Sequence, residues 1–182
     1  MNRRLVQTTL GICLACLSWL ILPSSALALG GTQIPLGDPA PDFTLPTNAG
    51  DGEISLADFR NQWVVLYFYP RDFTSGCTVE AQRFERDIAE YRARSAQVIG
   101  ISADSVESHA EFCDAEGLEF PLLSDPEGTV SKAYRSWLGA VSLRHTYIIG
   151  PEGTVRSRFL GVRPVIHSQE VLATLDELQA DS

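Results

Sequence analysis

The chain has 182 residues, with 14 lysines and arginines against 23 aspartates and glutamates, which gives a formal net charge of −9. This length is enough for one domain with its own hydrophobic core. Lys132 is the only lysine. The predicted surface is therefore acidic, which argues against nucleic acids and anionic membranes as partners.

Residues 1–28 have the pattern of a secretory signal peptide. Arg3 and Arg4 precede an almost wholly apolar run from Leu10 to Leu22, and Ala26-Leu27-Ala28 supplies the small residues of a cleavage site. The apolar run is shorter than the roughly 20 residues of a membrane-spanning helix. We therefore predict export to the periplasm or, in a photosynthetic organism, to the thylakoid lumen, without stable membrane association after cleavage. An uncleaved N-terminal anchor is the alternative.

Export changes the interpretation of the four cysteines. Cys13 and Cys16 form a C-x-x-C pattern, but they lie inside the predicted signal segment, so the mature protein would keep only Cys77 and Cys113. A disulfide between these two can persist outside the cytoplasm. Cleavage would also remove two arginines and no acidic residue, which makes the mature protein still more acidic.

The remaining chain is predicted to form an extended leader over residues 29–41 and one domain over 42–182. Seven apolar residues without alternation, Trp63–Tyr69, indicate a strand buried on both faces, as in a parallel sheet covered by helices. The elements predicted, in chain order, are a hairpin over 42–56, the strand Trp63–Tyr69, a helix over 75–95, a strand Gln97–Ala103, a helix from the cap Ser105 to Glu116 ended by Gly117, a strand Pro121–Leu123, a helix Gly128–Trp137, antiparallel strands His145–Ile149 and Thr154–Leu160, and a helix Ser168–Gln179. This order predicts an α/β, thioredoxin-like fold with a mixed central β-sheet and helices on both faces.

One cysteine, Cys77, falls where the loop after the first buried strand becomes a helix. A thiol attacks as its thiolate, and the free amide groups and dipole of a helix N-terminus stabilise that anion. Gly76 lets the backbone approach a ligand closely, and Pro70 ends the preceding strand because it cannot donate to the ladder. Thr74, one turn earlier, can hydrogen-bond the sulfur or a small ligand. The alternative is a structural disulfide at Cys77, with Thr74 as an ordinary helix cap.

These residues carry a resemblance to a known family. Pro70, Thr74 and Cys77 fit the P-x-x-x-[T/S]-x-x-C signature of the peroxiredoxins. Four further segments resemble the bacterioferritin-comigratory, or peroxiredoxin Q, branch of that family: GCTVEA at 76–81, SHAEF at 108–112, PLLSD at 121–125 and LRHTYII at 143–149. The similarity extends from about Leu36 to Leu178, nearly the whole mature chain.

The resemblance implies a thiol-dependent peroxidase that reduces hydrogen peroxide and organic hydroperoxides. Cys77 would be the peroxidatic cysteine, which attacks the O–O bond. Thr74 would hydrogen-bond the peroxide and the sulfur, Arg144 would lie beside the thiolate, and Pro70 would shield the pocket from water. The backbone amides of Gly76 and Cys77 would hold the peroxide oxygens.

The second cysteine of the reaction departs from the commonest pattern. Many members of the branch carry the resolving cysteine five residues after the peroxidatic one, but that position is Gln82 here. Cys113, on the next predicted helix, matches a second arrangement thought to occur in the branch. The resemblance thus implies a Cys77–Cys113 disulfide, re-reduced by a thioredoxin-like donor, in a monomer. The alternative is a one-cysteine enzyme resolved by an external thiol, with Cys113 a buried apolar residue.

Other functions find less support in the sequence. A disulfide exchanger needs a second cysteine three residues from Cys77, but Thr74 and Glu80 occupy those positions. Glu80 is expected to support the start of the helix. A non-catalytic exported domain with a structural Cys77–Cys113 disulfide stays open. The three histidines lack metal-ligand spacing, and we predict neither a metal nor a cofactor; they are His109, His145 and His167.

Overall fold

A five-stranded mixed sheet organises residues 32–49 and 52–181, the part of the chain that this computed structural model describes. The elements are β1 (Thr44–Pro46), β2 (Glu53–Ser55), a 3-10 helix (Leu56–Phe59), β3 (Trp63–Phe68), α1 (Ser75–Arg86), α2 (Ile88–Ala93), β4 (Ala96–Ser102), α3 (Val106–Glu116), β5 (Leu122–Ser124), α4 (Thr129–Ala133), β6 (Trp137–Leu138), β7 (Val141–Ser142), β8 (His145–Ile149), β9 (Val155–Leu160) and α5 (His167–Ala180). The predicted signal segment, residues 1–28, lies outside the described residues.

The strand order in the sheet is β5-β4-β3-β8-β9. Strands β3, β4 and β5 are parallel, whereas β8 runs antiparallel to both of its neighbours, β3 and β9. The mixed sheet predicted from the sequence is therefore confirmed. Strand β3 lies at its centre and is buried along its whole length, which explains why its sequence lacks the alternation of a half-exposed strand.

Successive residues of β3 point into two separate apolar layers. Val65 and Tyr67 belong to the layer that α1, α2, α3 and α5 cover. Val64 and Leu66 belong to the opposite layer, which the β1–β2 hairpin, the 3-10 helix and α4 cover. Helices thus lie on both faces, as predicted, but four of the five α-helices found in residues 32–49 and 52–181 share one face. The cysteine at the start of α1 belongs to that helix-covered layer.

The segment before the first hairpin packs along the edge of the domain. The N–H of Gly37 donates to the carbonyl of Val155 at 2.8 Å, and the N–H of Val155 donates to the carbonyl of Asp38 at 2.9 Å. The side chain of Ala40 is buried in the apolar layer opposite the four helices. Within the described ranges, no helix is long and apolar enough to cross a membrane.

The helix predicted over 75–95 is wrong in its continuity, because it is broken at Asp87 into α1 and α2. The Asp87 carboxylate accepts hydrogen bonds from Arg86, from Ser168 at 2.7 Å and from Gln169 at 2.7 Å. The last two donors belong to α5, so a tertiary contact sets the break. Short polar side chains that bond outside their own helix commonly mark such interruptions.

The helix predicted over Gly128–Trp137 is also too long, since α4 ends at Ala133. Arg135 adopts a left-handed conformation, with φ of 56°, and the chain then forms the small β6–β7 hairpin, which the sequence analysis missed. The Trp137 ring folds back over Gly128, where a Cβ would clash with it. Helix α3 matches its prediction: the Ser105 side chain caps it and Gly117 ends it in a left-handed conformation.

Gly100 in β4 is required by close packing. It pairs with Tyr67 of β3, and a Cβ at this position would lie 2.6 Å from Leu122 Cδ2 and 2.8 Å from Tyr67 Cζ. We expect Gly100→Ala to lower the free energy of unfolding by about 1–3 kcal/mol, because a filled core resists one added methyl group. Urea unfolding followed by far-UV circular dichroism measures the change. An unaltered midpoint would contradict the tight packing at this site.

Candidate active site

Cys77 is the third residue of α1, in the first turn of the helix. The first backbone bond of the helix runs from the N–H of Thr78 to the carbonyl of Thr74, at 2.9 Å. The N–H groups of residues 75–77 therefore have no acceptor within the helix. Cys77 thus lies at the start of the helix, as the sequence predicted, within the turn where the helix dipole favours an anion.

Thr74 is the N-cap residue of α1, yet its side chain does not cap the helix. The Thr74 hydroxyl lies 2.9 Å from Cys77 Sγ and 3.0 Å from the carbonyl oxygen of Arg71. A hydroxyl has one hydrogen to donate. With a protonated thiol it donates to Arg71 and accepts from the sulfur; with a thiolate it turns and donates to the sulfur. Thr74 can thus adapt to both protonation states of Cys77.

Arg144, directly before β8, brings a positive charge to the same sulfur. Its Nη2 donates to Cys77 Sγ at 3.1 Å, and its Nη1 donates to Glu80 Oε2 at 2.6 Å. Burial disfavours the charged guanidinium, but Cys77 and Glu80 outweigh that effect, so the pKa of Arg144 is raised above its ordinary value. The N–H groups of Gly161 and Val162 donate to the carbonyl of Arg144 and hold its backbone in place.

Gly76 leaves room for this arginine. A Cβ on Gly76 would lie 2.8 Å from Arg144 Nη2, closer than side-chain atoms normally approach. The backbone of Gly76 does not have a positive φ, so the reason for glycine here is space. The sequence analysis expected Gly76 to make room for a ligand; the structure shows that it makes room for the guanidinium beside Cys77.

Glu80 is a site residue whose contact the sequence analysis missed. Its side chain is buried, and it forms an ion pair with Arg144 instead of supporting the start of the helix. Burial raises the pKa of Glu80 to about 7, although Arg144 acts in the opposite direction. The signal was present in the sequence: Cys77, Glu80, Ala81 and Phe84 have the i, i+3, i+4, i+7 spacing of one helix face, and all four are buried.

The two other predicted site residues are Pro70 and Cys113. Pro70 is half-buried where the chain leaves the sheet after Tyr69. Cys113 is buried on α3, in the same apolar layer as Cys77, and both thiols are free. Burial raises the pKa of the Cys113 thiol to about 11. Cys113 is therefore a poor nucleophile as long as it stays buried.

A buried polar network joins the loop before Cys77 to α3. Asp72 accepts hydrogen bonds from the hydroxyls of Tyr69 and Ser108, both at 2.8 Å, and its Oδ2 lies 2.9 Å from His109 Nδ1. Burial opposes the ionised carboxylate, but the contacts with His109, Ser108 and Tyr69 prevail, and the pKa of Asp72 is lowered. No spacing in the sequence links Asp72 with His109, because the fold alone brings them together.

Among residues 32–49 and 52–181, no three histidine, cysteine, aspartate or glutamate side chains form a group that could hold a metal ion.

The raised pKa of Glu80 predicts a pH-dependent stability. The folded protein retains a proton that the unfolded chain releases near pH 4.5, so the stabilisation is complete below that pH and is lost as the pH rises through about 7. Relative to Glu80→Gln, which cannot titrate, we expect the wild type to lose on the order of 2–3 kcal/mol of unfolding free energy between pH 5 and pH 8. Urea unfolding of both reduced proteins at the two pH values measures this difference. Parallel curves for the two proteins would contradict it.

Comparison with known proteins places this site in a family. A family model described as AhpC/TSA matches residues 36–158. A putative peroxiredoxin of Mycobacterium tuberculosis is 42% identical over 129 residues, which cover 71% of this chain and 79% of that protein. Peroxiredoxin Bcp of Xanthomonas campestris is 36% identical over 146 residues, with 75% of this chain and 91% of that protein covered.

Solved structures give the same answer. PrxQ of Xylella fastidiosa superposes with a TM-score of 0.77 at 32% identity, covering 82% of this chain and 99% of that one. Peroxidoxin BcpB of M. tuberculosis superposes with a TM-score of 0.72 at 33% identity, covering 80% and 98%. Together with the extent of the family match, these similarities show that the chain belongs to the AhpC/TSA family and is a thiol-dependent peroxidase similar to the Bcp and PrxQ peroxiredoxins.

Proposed function

We propose that Cys77 is the peroxidatic cysteine of this enzyme and that Thr74 and Arg144 are its catalytic partners. The observation that carries the proposal is the contact of one sulfur, at a helix N-terminus, with a hydroxyl at 2.9 Å and a guanidinium at 3.1 Å. Both groups stabilise a thiolate, which is the reactive form of a cysteine. Cys113, by contrast, has no such arrangement of donors and is the weaker candidate for this role.

In the first step the Cys77 thiolate attacks one oxygen of the hydroperoxide. The S–O bond forms as the O–O bond breaks, which leaves a sulfenic acid on Cys77 and an alkoxide, or hydroxide, that takes up a proton. Arg144, Thr74 and the free N–H groups of the first helical turn are placed to stabilise the charge that develops along the breaking bond. This alignment of donors has to supply most of the rate acceleration. A lower pKa gives more thiolate, but it also makes that thiolate a weaker nucleophile.

Glu80 acts through Arg144. Its carboxylate accepts from Nη1 at 2.6 Å and leaves Nη2 pointing at the sulfur, so it fixes the orientation of the guanidinium. Held in this way, the arginine needs no rearrangement when the peroxide arrives, which is the advantage of a preorganised site. Pro70 would exclude water at the edge of this pocket.

In the second step, Cys113 resolves the sulfenic acid. The thiol of Cys113 condenses with the sulfenic acid of Cys77, a disulfide forms and water leaves. The two cysteines belong to the same apolar layer, lie on α1 and α3 and are not bonded; in the proposed step, local opening of both helices brings them together. The alternative is a one-cysteine enzyme, in which an external thiol resolves the sulfenic acid. The burial of Cys113 favours this alternative for a protein whose α3 stays closed.

The disulfide would then be reduced by a thioredoxin-like dithiol, and the enzyme would work as a monomer. The signal pattern of residues 1–28 supports a location beyond the cytoplasm, in the periplasm or the thylakoid lumen. An exported domain in which Cys77 and Cys113 form only a structural disulfide is the alternative without catalysis.

Cysteine variants test these roles directly. We expect Cys77→Ser to abolish peroxide consumption in a dithiothreitol assay, because no other described thiol has the Cys77 environment. Cys113→Ser is the matched control: it should keep consuming peroxide, since dithiothreitol can resolve the sulfenic acid, but mass spectrometry should find no intramolecular disulfide. Equal rates for wild type and Cys77→Ser would contradict the peroxidatic role. Persistent Cys77 sulfenic acid beside free Cys113 in the wild type would contradict the resolving role.

Gly76→Ala tests the position of Arg144. The new methyl group would push Nη2 away from the sulfur. We expect the second-order rate constant for oxidation of Cys77 by peroxide to fall by roughly 10²- to 10³-fold, as for the loss of one transition-state donor. Thermal unfolding serves as the control, because alanine forms helices better than glycine and α1 should not be weakened. An unchanged rate constant would show that Arg144 does not need its observed position.

A further inference from the structure

Besides the Ser108–Asp72 hydrogen bond, two contacts hold the loop before Cys77 against α3, the helix that carries Cys113. One is the buried pair of Asp72 with His109, and the other is the ring of Phe73 against that of Phe112, with 5.1 Å between their centroids. Both α3 residues precede Cys113 in the sequence: Phe112 directly, and His109 by one helical turn. These four residues, Asp72, Phe73, His109 and Phe112, are called the latch below.

The polar half of the latch is a buried contact between a histidine and a carboxylate. His109 Nδ1 faces the Asp72 carboxylate at 2.9 Å, and Nε2 faces the carbonyl oxygen of Leu123 at 3.2 Å. The Tyr69 hydroxyl donates to Asp72, so it has no hydrogen left for Nδ1. The Asp72 carboxylate can only accept, so His109 Nδ1 donates to it. A hydrogen bond accepted by a carboxylate is among the stronger contacts in proteins.

The apolar half is held under strain. Phe73 has a φ of 57°, a left-handed conformation that is rare for a bulky residue, and its side chain is half exposed. Its ring nevertheless packs on Phe112, which is fully buried. A strained residue persists when its surroundings hold it, so the loop around Phe73 can relax once the Asp72–His109 pair separates.

We propose that His109 is a positioning residue for the disulfide-forming step, in which it holds the latch closed. With the latch closed, the loop keeps Thr74 beside Cys77 and the site can react with peroxide. With the latch open, α3 is released and Cys113 can reach the Cys77 sulfenic acid, forming the disulfide and one water. This inference rests on the proposed Cys77–Cys113 disulfide.

Labelling of Cys113 in the reduced full-length protein measures the opening without any peroxide chemistry. A neutral alkylating reagent reaches the buried thiol only when α3 opens, and site-resolved mass spectrometry follows Cys113 alone. We expect His109→Gln to accelerate this labelling by about 10- to 100-fold, as the loss of a hydrogen bond to a charged group implies. Ser108→Ala, a milder variant that removes one bond to Asp72, should act in the same direction with a smaller effect.

His167→Gln is the matched control. His167 is also a buried, hydrogen-bonded histidine, but it lies on α5 and contacts Thr146, Phe84 and Phe159. We expect its Cys113 labelling to equal that of the wild type. Faster labelling in His109→Gln would not come from a lower pKa of the Cys113 thiol. After burial, the negative charge of Asp72 is among the causes that raise the pKa of Cys113, and His109→Gln leaves that charge in place.

A pulse of peroxide then tests the link to catalysis. Disulfide formation should be faster in His109→Gln than in the wild type, whereas oxidation of Cys77 should not be faster. Equal labelling of Cys113 in the wild type and His109→Gln, or equal acceleration in His167→Gln, would overturn the latch and leave the proposed function intact. If the wild type formed no Cys77–Cys113 disulfide after the pulse, both the resolving role of Cys113 and the role of the latch in that step would be overturned.

Discussion

The arrangement of the site depends on one partly buried guanidinium. Arg144 has lost most of its contact with water, and it donates hydrogen bonds to Cys77 Sγ on one side and to the Glu80 carboxylate on the other. A buried charge is tolerated only when its partners are well placed, so the chain around it is constrained. Gly76 lacks the side chain that would collide with it, and the loop after β9 binds the arginine's carbonyl. With Nη1 bound to Glu80 and the backbone carbonyl bound by that loop, Nη2 is left to contact the sulfur of Cys77.

The proposed mechanism places conflicting demands on this part of the fold. In that mechanism, attack on a peroxide needs the first turn of α1 closed, with Thr74 and Arg144 at the sulfur, whereas the disulfide with Cys113 needs that turn and α3 to open. The two demands fall on different parts of the structure. Strand β3 is fully buried between two apolar layers, whereas the loop and α3 meet through a few specific contacts at the end of β3. Local opening at these contacts would leave the sheet intact.

Burial also assigns different work to the two cysteines. Both belong to the helix-covered layer, but Cys77 faces a hydroxyl and a guanidinium, while Cys113 lies among apolar groups and nearby carboxylates that raise its pKa to about 11. In the closed protein only one of the two sulfurs is therefore prepared to react. In the proposed mechanism, the burial of Cys113 keeps the second thiol from reacting before Cys77 has been oxidised.

Sequence alone determined the features that arise from local patterns. Neighbouring residues are enough to predict the buried strand β3, the capped helix α3 and the cysteine at the start of a helix. The motif around Pro70, Thr74 and Cys77 led to the family. Tertiary structure decided what depends on contacts between distant residues. The break at Asp87 follows from bonds with α5, the burial of Glu80 from its pairing with Arg144, and the Asp72–His109 contact from the meeting of a loop with α3. Such partners lie 37 to 82 residues apart in the chain, so no local spacing reveals them.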